Sequence, residues 1–397
     1  MPFEDKPPSG LPLRQMIALG AAAFCSAATL RVADPLIPQV SEEFAVPVGD
    51  AAIIATAFTL AYGLFQIVYG TFGDRAGKIT VIAAASFLSG LGALASALAG
   101  SLSLLGALRF VGGCTAGAII PLAIAHVGDV TAYEHRQVVI ARFLSGQVLG
   151  IVMGQAIGGV LAEHIGWRGV FVVFGILFLA VAAALAAELA SGRIVQIRHS
   201  ASANIAHQYR ELISSGRVRL VVGAVFIEGF LFFGTFTFVA AYLRNIYALS
   251  LDAIGLLLAF FGLGALAYIV MARRVIRLLG EHGMVLAGGS VLAVAFLAMS
   301  AQPPAWSFVV LLFTCGTAFY MMHNTLQTNG TQMAPQARAL GMSLFATCLF
   351  VGQAAGIGAA GWLVERAGYR PVIAGAGVLI AVLGLFLWRR LAPAKTA

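Results

Sequence analysis

The sequence predicts an all-α membrane protein whose twelve transmembrane helices form two six-helix bundles. Three observations lead there: a composition that no water-soluble fold of this size accommodates, twelve apolar runs separated by short polar gaps, and a residue-level repeat between the two halves of the chain.

Of the 397 residues, 60% are hydrophobic and 10% are charged, against roughly 25% charged in a soluble domain. Most of this surface has to be solvated by lipid. The formal net charge of +8 is not a nucleic-acid footprint. The basic residues sit in the gaps between apolar runs and form no single patch, so no nucleic-acid partner is expected. Cys25, Cys114, Cys315 and Cys348 lie inside apolar runs without CxxC spacing, which reads as free buried thiols. The chain has no GxxxxGK[ST] phosphate loop, its seven histidines show no metal-ligand spacing, and no nucleophile sits in an elbow motif. An enzyme, a cofactor and a bound metal are therefore not expected.

The apolar runs fall at 13–39, 50–73, 78–99, 103–127, 137–162, 167–190, 219–243, 253–276, 284–301, 305–332, 339–364 and 369–388. Each lacks the alternation of a barrel strand, and in hydrocarbon each has to close its backbone hydrogen bonds internally, so each is read as a helix. The first run is too long for a signal-peptide core and is read as span one. With the N-terminus placed in the cytoplasm, 17 of the 24 Lys and Arg fall on that side, 4 fall outside, and Arg31, Arg109 and Arg142 lie within spans. This bias places both termini inside the cell. The longest connection, 191–218, separates a first bundle (1–190) from a second (219–397). Within it Ile205, Tyr209, Leu212 and Ile213 follow helical spacing opposite His207, Arg210 and Glu211, the pattern of a short amphipathic helix on the inner leaflet.

The halves repeat at an offset of 202. The segment Val160-Leu-Ala-Glu163-His-Ile-Gly166-Trp-Arg168-Gly-Val realigns with Trp362-Leu-Val-Glu365-Arg-Ala-Gly368-Tyr-Arg370-Pro-Val. At the same offset Arg136 meets Arg338, and Gly150, Gly154 and Gly159 meet Gly352, Gly356 and Gly361. Span five thus corresponds to span eleven, and six spans form the unit. Repeated halves with a site between them at the midplane are a transporter architecture.

Spans two and three are joined by Gly70-Thr-Phe-Gly73-Asp74-Arg75-Ala-Gly77-Lys78: a glycine for close helix approach, a carboxylate, a tight turn and two inner cations. This stretch resembles the loop signature of the major facilitator superfamily, and the likeness extends through the twelve spans over nearly the whole chain. The resemblance implies a cytoplasmic gate in which Asp74 and Arg75 take part, with Asp129 and Arg136 as partners. The second-half counterpart, Arg273-Arg274-Val-Ile-Arg277-Leu-Leu-Gly280-Glu281, lacks the aspartate.

Several polar side chains lie within spans. Arg109 in span four costs about 2.5–3.5 kcal/mol on insertion scales unless it is paired or wetted; it either snorkels to the outer interface or, as the resemblance implies, is linked to proton transfer. Arg31 and Asp34 are i and i+3 in span one, and Asp34 and Arg109 lie at similar depth, so a pair across spans one and four is geometrically reasonable. Pro35 and Pro38 loosen that helix end. Glu228 in span seven is the one acid well inside a second-half span, and a buried carboxylate exchanges its proton with what it meets, as a coupling site requires. Phe232 and Thr235 share its face and line either an apolar cavity or a packed interior.

Span five carries glycines at 146, 150, 154, 158 and 159, which allow backbone-to-backbone packing. Antiporters of the resembled family have such a ladder with a proline before the last glycine pair; here Gln155 replaces it. Span ten is unusually polar, with His323, Asn324 and Gln327 as hydrogen-bond partners for a solute or for a neighbouring helix. Gln66 and Tyr62 of span two are weaker candidates of the same kind.

The chain thus resembles the twelve-span, proton-coupled drug and metabolite efflux branch of the superfamily, including its sugar-efflux-like members. The function implied is export of a small neutral, cationic or lipophilic solute by proton antiport with alternating access, from a bacterial inner membrane. The partners are the small-molecule solute, protons and membrane lipid, and one chain with a complete pair of halves fits a monomer. Uptake by symport or facilitated diffusion is the alternative, and a lipid flippase or solute sensor the reading from another class.

Overall fold

The structure is a computed structural model that describes residues 11–192 and 205–391. Lys6, Lys395 and residues 193–204 of the connection between the halves, with Arg193 and Arg198, lie outside the described residues. Among the described residues there is no strand. Ten helices are long and apolar enough to cross a membrane. Two of these, Tyr133–Ala190 and Leu251–Ser300, each contain one glycine with non-helical backbone, Gly166 and Gly280. Each is therefore two spans, and the total is twelve.

The turns repeat as the sequence does. Gly77 (φ 92°, ψ 127°) divides span two from three, and Gly368 (φ 77°, ψ 174°) divides eleven from twelve. Gly166 (φ 70°, ψ 166°) and Gly280 (φ 65°, ψ 170°) divide five from six and eight from nine. A positive φ with extended ψ is open to glycine alone without strain. Just after the turn, Arg168 donates to the carbonyls of Ala97 and Ala99 at 2.9 Å, and its counterpart Arg370 donates to Ser300 at 2.9 Å. The conserved-by-repeat arginine thus ties the same loop to the end of the same helix in both halves.

The glycine ladder of span five lies flat on span one. A methyl added at Gly146, Gly150, Gly154 or Gly158 would come within 3.0 Å of Gly20, Phe24, Ala28 or Val32. The step of four on both sides is the signature of two helices in contact along one ridge. In the second half Gly352 and Gly356 of span eleven meet Phe226 and Phe230 of span seven in the same way. Gly159 and Gly361 face across the midline instead: Gly159 lies against Gly255 of span eight, and Gly361 against Gly49 of span two.

These crossings close the basic-poor end of the molecule. Glu163 Oε2 accepts from the amide of Leu251, the first residue of span eight, at 2.8 Å. Its repeat-mate Glu365 places a carboxylate oxygen against Gly49 in the first turn of span two. One hydrophobic interior runs through both halves here, including Leu36, Ile37, Ala51, Ile254 and Leu243. Near the basic-rich end the first half has an interior of its own around Leu19, Ile82, Leu122, Phe178 and Leu185.

Between the halves, Ile205–Ser214 is helical. Its apolar side is not left to the lipid surface alone, because Tyr209 and Leu212 pack against the interior that continues into the second half.

Overpacking a close helix crossing costs about 1–3 kcal/mol. Gly154→Leu should therefore lower the melting temperature and the yield of monodisperse protein on size-exclusion chromatography. Gly358→Leu, where nothing lies within 4 Å of the added Cβ, should leave both unchanged.

Candidate functional site

Spans one, four and seven, which carry Arg31 and Asp34, Arg109 and Glu228, all have interrupted helices. Span one consists of Leu13–Arg31 and Ala33–Phe44, separated at Val32. Pro35 explains the break: it has no N–H for the carbonyl of Arg31, and its ring crowds that carbonyl. Arg31 and Asp34 therefore flank the interruption. Span seven passes from Gly216–Glu228 into a π-helical turn, Gly229–Phe233, directly after Glu228. Such turns widen a helix locally and are frequent at functional sites.

Arg31 and Asp34 are 5% and 1% exposed. Arg31 Nη1 and Asp34 Oδ2 stand 4.0 Å apart, a loose ion pair. Asp34 Oδ2 is also held by Gln155 Nε2 at 2.9 Å, from the position in span five where the ladder departs from the antiporter pattern. Arg31 Nη2 reaches Gln353 Oε1 of span eleven at 3.5 Å, and its guanidinium carbon lies 3.8 Å over the ring of Phe233 in span seven. The cluster thus joins spans one and five to spans seven and eleven.

Arg109 does not take the partner that depth alone suggests. It donates to the carbonyls of Ile54 at 3.0 Å and Thr29 at 3.1 Å, and lies 4.1 Å over Phe58. No ion pair joins it to Asp34 among the described residues. Thr29 is one turn from the break in span one, so the arginine fastens spans one, two and four where the first is weakest. At 3% exposure it is buried, not snorkelling.

Glu228 and His323, read separately from the sequence, are partners. Glu228 Oε2 lies 2.8 Å from His323 Nδ1, while Glu228 Oε1 is buried without a hydrogen bond. His323 stacks on Phe319, with centroids 5.2 Å apart and planes at 12°. Phe232 lines no cavity in this conformation. It is fully buried, and its ring lies 4.5–5.7 Å from those of Phe319, Phe233, Phe236, Phe261 and Phe296. Asn324 donates to Tyr268 Oη at 3.0 Å, within its own half, and Gln327 is exposed. Gln66 gives its amide to the carbonyl of Gly117, at the break in span four, at 3.2 Å. Much of the remaining polarity of span ten turns back on its own helix: Thr325, Thr328 and Asn329 donate to carbonyls four residues earlier.

At the basic-rich end the hub is Lys78. Its Nζ lies 3.0 Å from Asp74 Oδ1 and 2.7 Å from Asp129 Oδ2, and the lysine is 5% exposed. Spans two, three and four meet there. Arg136 donates to the carbonyl of Thr131 at 3.3 Å. Arg75 is exposed and takes part in no ion pair among the described residues. Gln155 and Gln353 are thus site residues that the sequence does not single out as such, whereas Lys78 stands in the loop motif and Phe233 among the phenylalanines of span seven that could line an apolar cavity. The signal for Gln155 was its place in the glycine ladder; Gln353 follows Gly352 in the repeated ladder. Neither position tells what it touches.

Two six-span halves, closed at one end, with buried charge of both signs where they meet, define a polytopic solute transporter. The chain matches the family model of the major facilitator superfamily over residues 19–339 and belongs to that family. It is 25% identical over 364 residues to YceJ, an MFS-type transporter of Bacillus subtilis, covering 89% of this chain and 90% of that one. It is 26% identical over 397 residues to the multidrug efflux protein YfmO of the same organism, covering 95% and 94%. Among solved structures, a bacterial homologue of the human lysosomal transporter Spinster, in an inward-facing and occupied conformation, superposes with a TM-score of 0.78 at 17% identity over 96% of this chain and 98% of the other. The xylose transporter XylE of Escherichia coli, partially occluded and inward open, gives 0.73 at 13% identity over 97% and 98%.

Removing a cation shared by two partly exposed carboxylates leaves like charges facing each other. Lys78→Gln should therefore destabilise by about 1–3 kcal/mol, between the surface and buried limits for ion pairs. Arg75→Gln should change stability by less than about 0.5 kcal/mol. Thermal unfolding of the two purified variants checks the contrast.

Proposed function

We propose that this transporter is proton-coupled and works by alternating access, exporting a small lipophilic solute in exchange for protons. The observation that carries the reading is the Glu228–His323 pair: two titratable side chains 2.8 Å apart and nearly sealed from solvent, with one carboxylate oxygen lacking any partner, beside a π-helical turn. A group so placed changes its proton occupancy when a solute or water reaches it. Asp34, held by Gln155 and loosely by Arg31, is the second proton site. Arg109 keeps the helices around it in place. The Lys78 cluster, with Asp74 and Asp129, belongs to the gate at the basic-rich end, taken here as the cytoplasmic side of a bacterial inner membrane. Similarity to a multidrug efflux protein along nearly the full length supports export. The scarcity of fixed charge between the halves supports a neutral, lipophilic or singly charged solute over a multivalent anion.

Uptake together with protons is the second reading, and the Arg31–Asp34 geometry favours it. A solute anion that draws Arg31 from Asp34 leaves a buried carboxylate without its cation, which a proton then neutralises. Anion and proton would cross in the same direction.

Proteoliposomes containing a pH-sensitive dye separate these readings. Added solute should make the lumen alkaline under antiport and acidic under symport, whichever way the protein is inserted. Asp34→Asn and Glu228→Gln should each cut solute-driven proton movement at least tenfold, a loss of about 1.4 kcal/mol or more in transition-state stabilisation, while leaving the protein folded. A double variant that moves protons at the wild-type rate would refute the coupling.

A further inference from the structure

The two arginines buried in the first half differ in how well they are satisfied. Arg109 has short hydrogen bonds to two carbonyls and an aromatic ring beneath it. Arg31 also has a ring beneath it, Phe233 at 3.8 Å, but its acceptors are distant: Gln353 at 3.5 Å, the outer limit of a hydrogen bond, and a carboxylate at 4.0 Å. Its Nη1 is buried and makes no hydrogen bond. A guanidinium offers five N–H donors in a planar fork, so Arg31 holds most of its donor capacity unused while 5% exposed. The Asp34 oxygen that faces Arg31 is instead hydrogen-bonded by Gln155 at 2.9 Å. Leaving charged donors unmet in a buried site is costly; a ligand that supplies the acceptors recovers that cost.

The surroundings limit what such a ligand can be. Arg31 belongs to the first half, while, Asp34 apart, the groups against its head come from the second: Phe233 at 3.8 Å and Gln353 at 3.5 Å, with Tyr320 beyond them near enough to act on its charge. The ring of Phe233 is 4.8 Å from that of Phe319, which is 5.4 Å from that of Tyr320. One cation, already partly compensated by Asp34, faces a wall of aromatic rings. That combination matches a single planar anion on an apolar body, since a carboxylate takes the guanidinium fork in bidentate fashion. A doubly charged head would leave one charge unmatched.

We infer that Arg31 anchors the carboxylate of a small aromatic or otherwise apolar monocarboxylic acid at the junction of the two halves, with Phe233, Phe319 and Tyr320 receiving its body. The inference rests on the transport reading above but not on its direction. In the bound state the carboxylate replaces Asp34 as the partner of Arg31, and Asp34, neutralised by a proton, keeps Gln155.

Binding to the purified full-length protein in nanodiscs, with no gradient imposed, tests this by calorimetry. The probes are benzoate, benzamide and benzylamine, which share a ring and differ in charge. Benzoate should bind the wild type at least about tenfold more tightly than either of the others, the worth of one charge-assisted contact. Arg31→Gln should erase that preference, and Arg31→Lys should retain part of it. Asp34→Asn should tighten benzoate several-fold by removing its competitor, a gain that damage to the fold cannot produce. The inference is overturned if benzoate binds no better than benzamide or benzylamine, if none of the three binds, if Arg31→Gln binds benzoate like the wild type, or if Asp34→Asn weakens it. None of these outcomes depends on proton movement in proteoliposomes, so proton coupling and the carboxylate anchor can fail independently.

Discussion

A charge inside a membrane protein has to find its partner within the protein, and most often on another helix, because lipid offers none. Much of the architecture follows from this constraint. Arg109 draws carbonyls from spans one and two onto span four. Lys78 gathers carboxylates from spans two and four onto span three. Both are closed within the first half, and each welds three helices into a unit. Arg31 is different, since its neighbours Phe233 and Gln353 belong to the second half. The same physical demand that makes one arginine a rivet leaves the other at a joint with its donors only partly used.

Close approach is the second requirement, because dispersion between apolar helices is weak unless their backbones come near. The ladders at Gly146–Gly158 and Gly352–Gly356 meet it inside each half, on faces turned toward spans one and seven. Gly159 and Gly361 sit on the opposite face and meet it between the halves. Span five and span eleven therefore serve two interfaces at once. That double duty accounts for glycine content in these spans beyond what one packed ridge needs, and it fixes which faces of the halves meet at the basic-poor end.

The scaffold was legible in the sequence because it is written in local and periodic signals. Apolar runs mark spans, and single glycines mark the turns at 77, 166, 280 and 368. A repeat of 202 residues pairs Arg168 with Arg370 and Glu163 with Glu365, and the structure gives each pair matching surroundings. The site was legible only as a collection of costly residues. Arg31, Asp34, Arg109, Glu228 and His323 all drew notice as polar groups in apolar runs, yet their partners did not follow. Depth suggests Asp34 with Arg109, but the arginine is held instead by the carbonyls of Thr29 and Ile54. Glu228 and His323 lie 95 residues apart, and no spacing rule links spans seven and ten. Polarity and aromaticity do not reveal which way a side chain faces, so the sequence leaves Phe232 and Gln66 open between a cavity and the interior; one is enclosed by rings and the other mends a helix break.

The halves share their frame and divide their chemistry. In the first half, buried charge is mostly locked: Lys78 and Arg109 have short contacts on every side, and Asp34 has Gln155. In the second, Glu228 keeps an oxygen without a partner beside a widened turn of helix. A rocking of one half against the other would leave the locks of the first half intact, since none of them crosses the midline. It would break the hydrogen bond of Glu163 to the amide of Leu251 and part Glu365 from Gly49, which it lies against at the start of span two. A carboxylate at a helix N-terminus is worth about 1 kcal/mol, and water at an opened end replaces much of it. Opening therefore sets two weak, symmetric contacts and an apolar seam against the gain of wetting. Arg31 is the charged group whose contacts such a rocking would alter, because the ring beneath it and its amide partner lie on the other half.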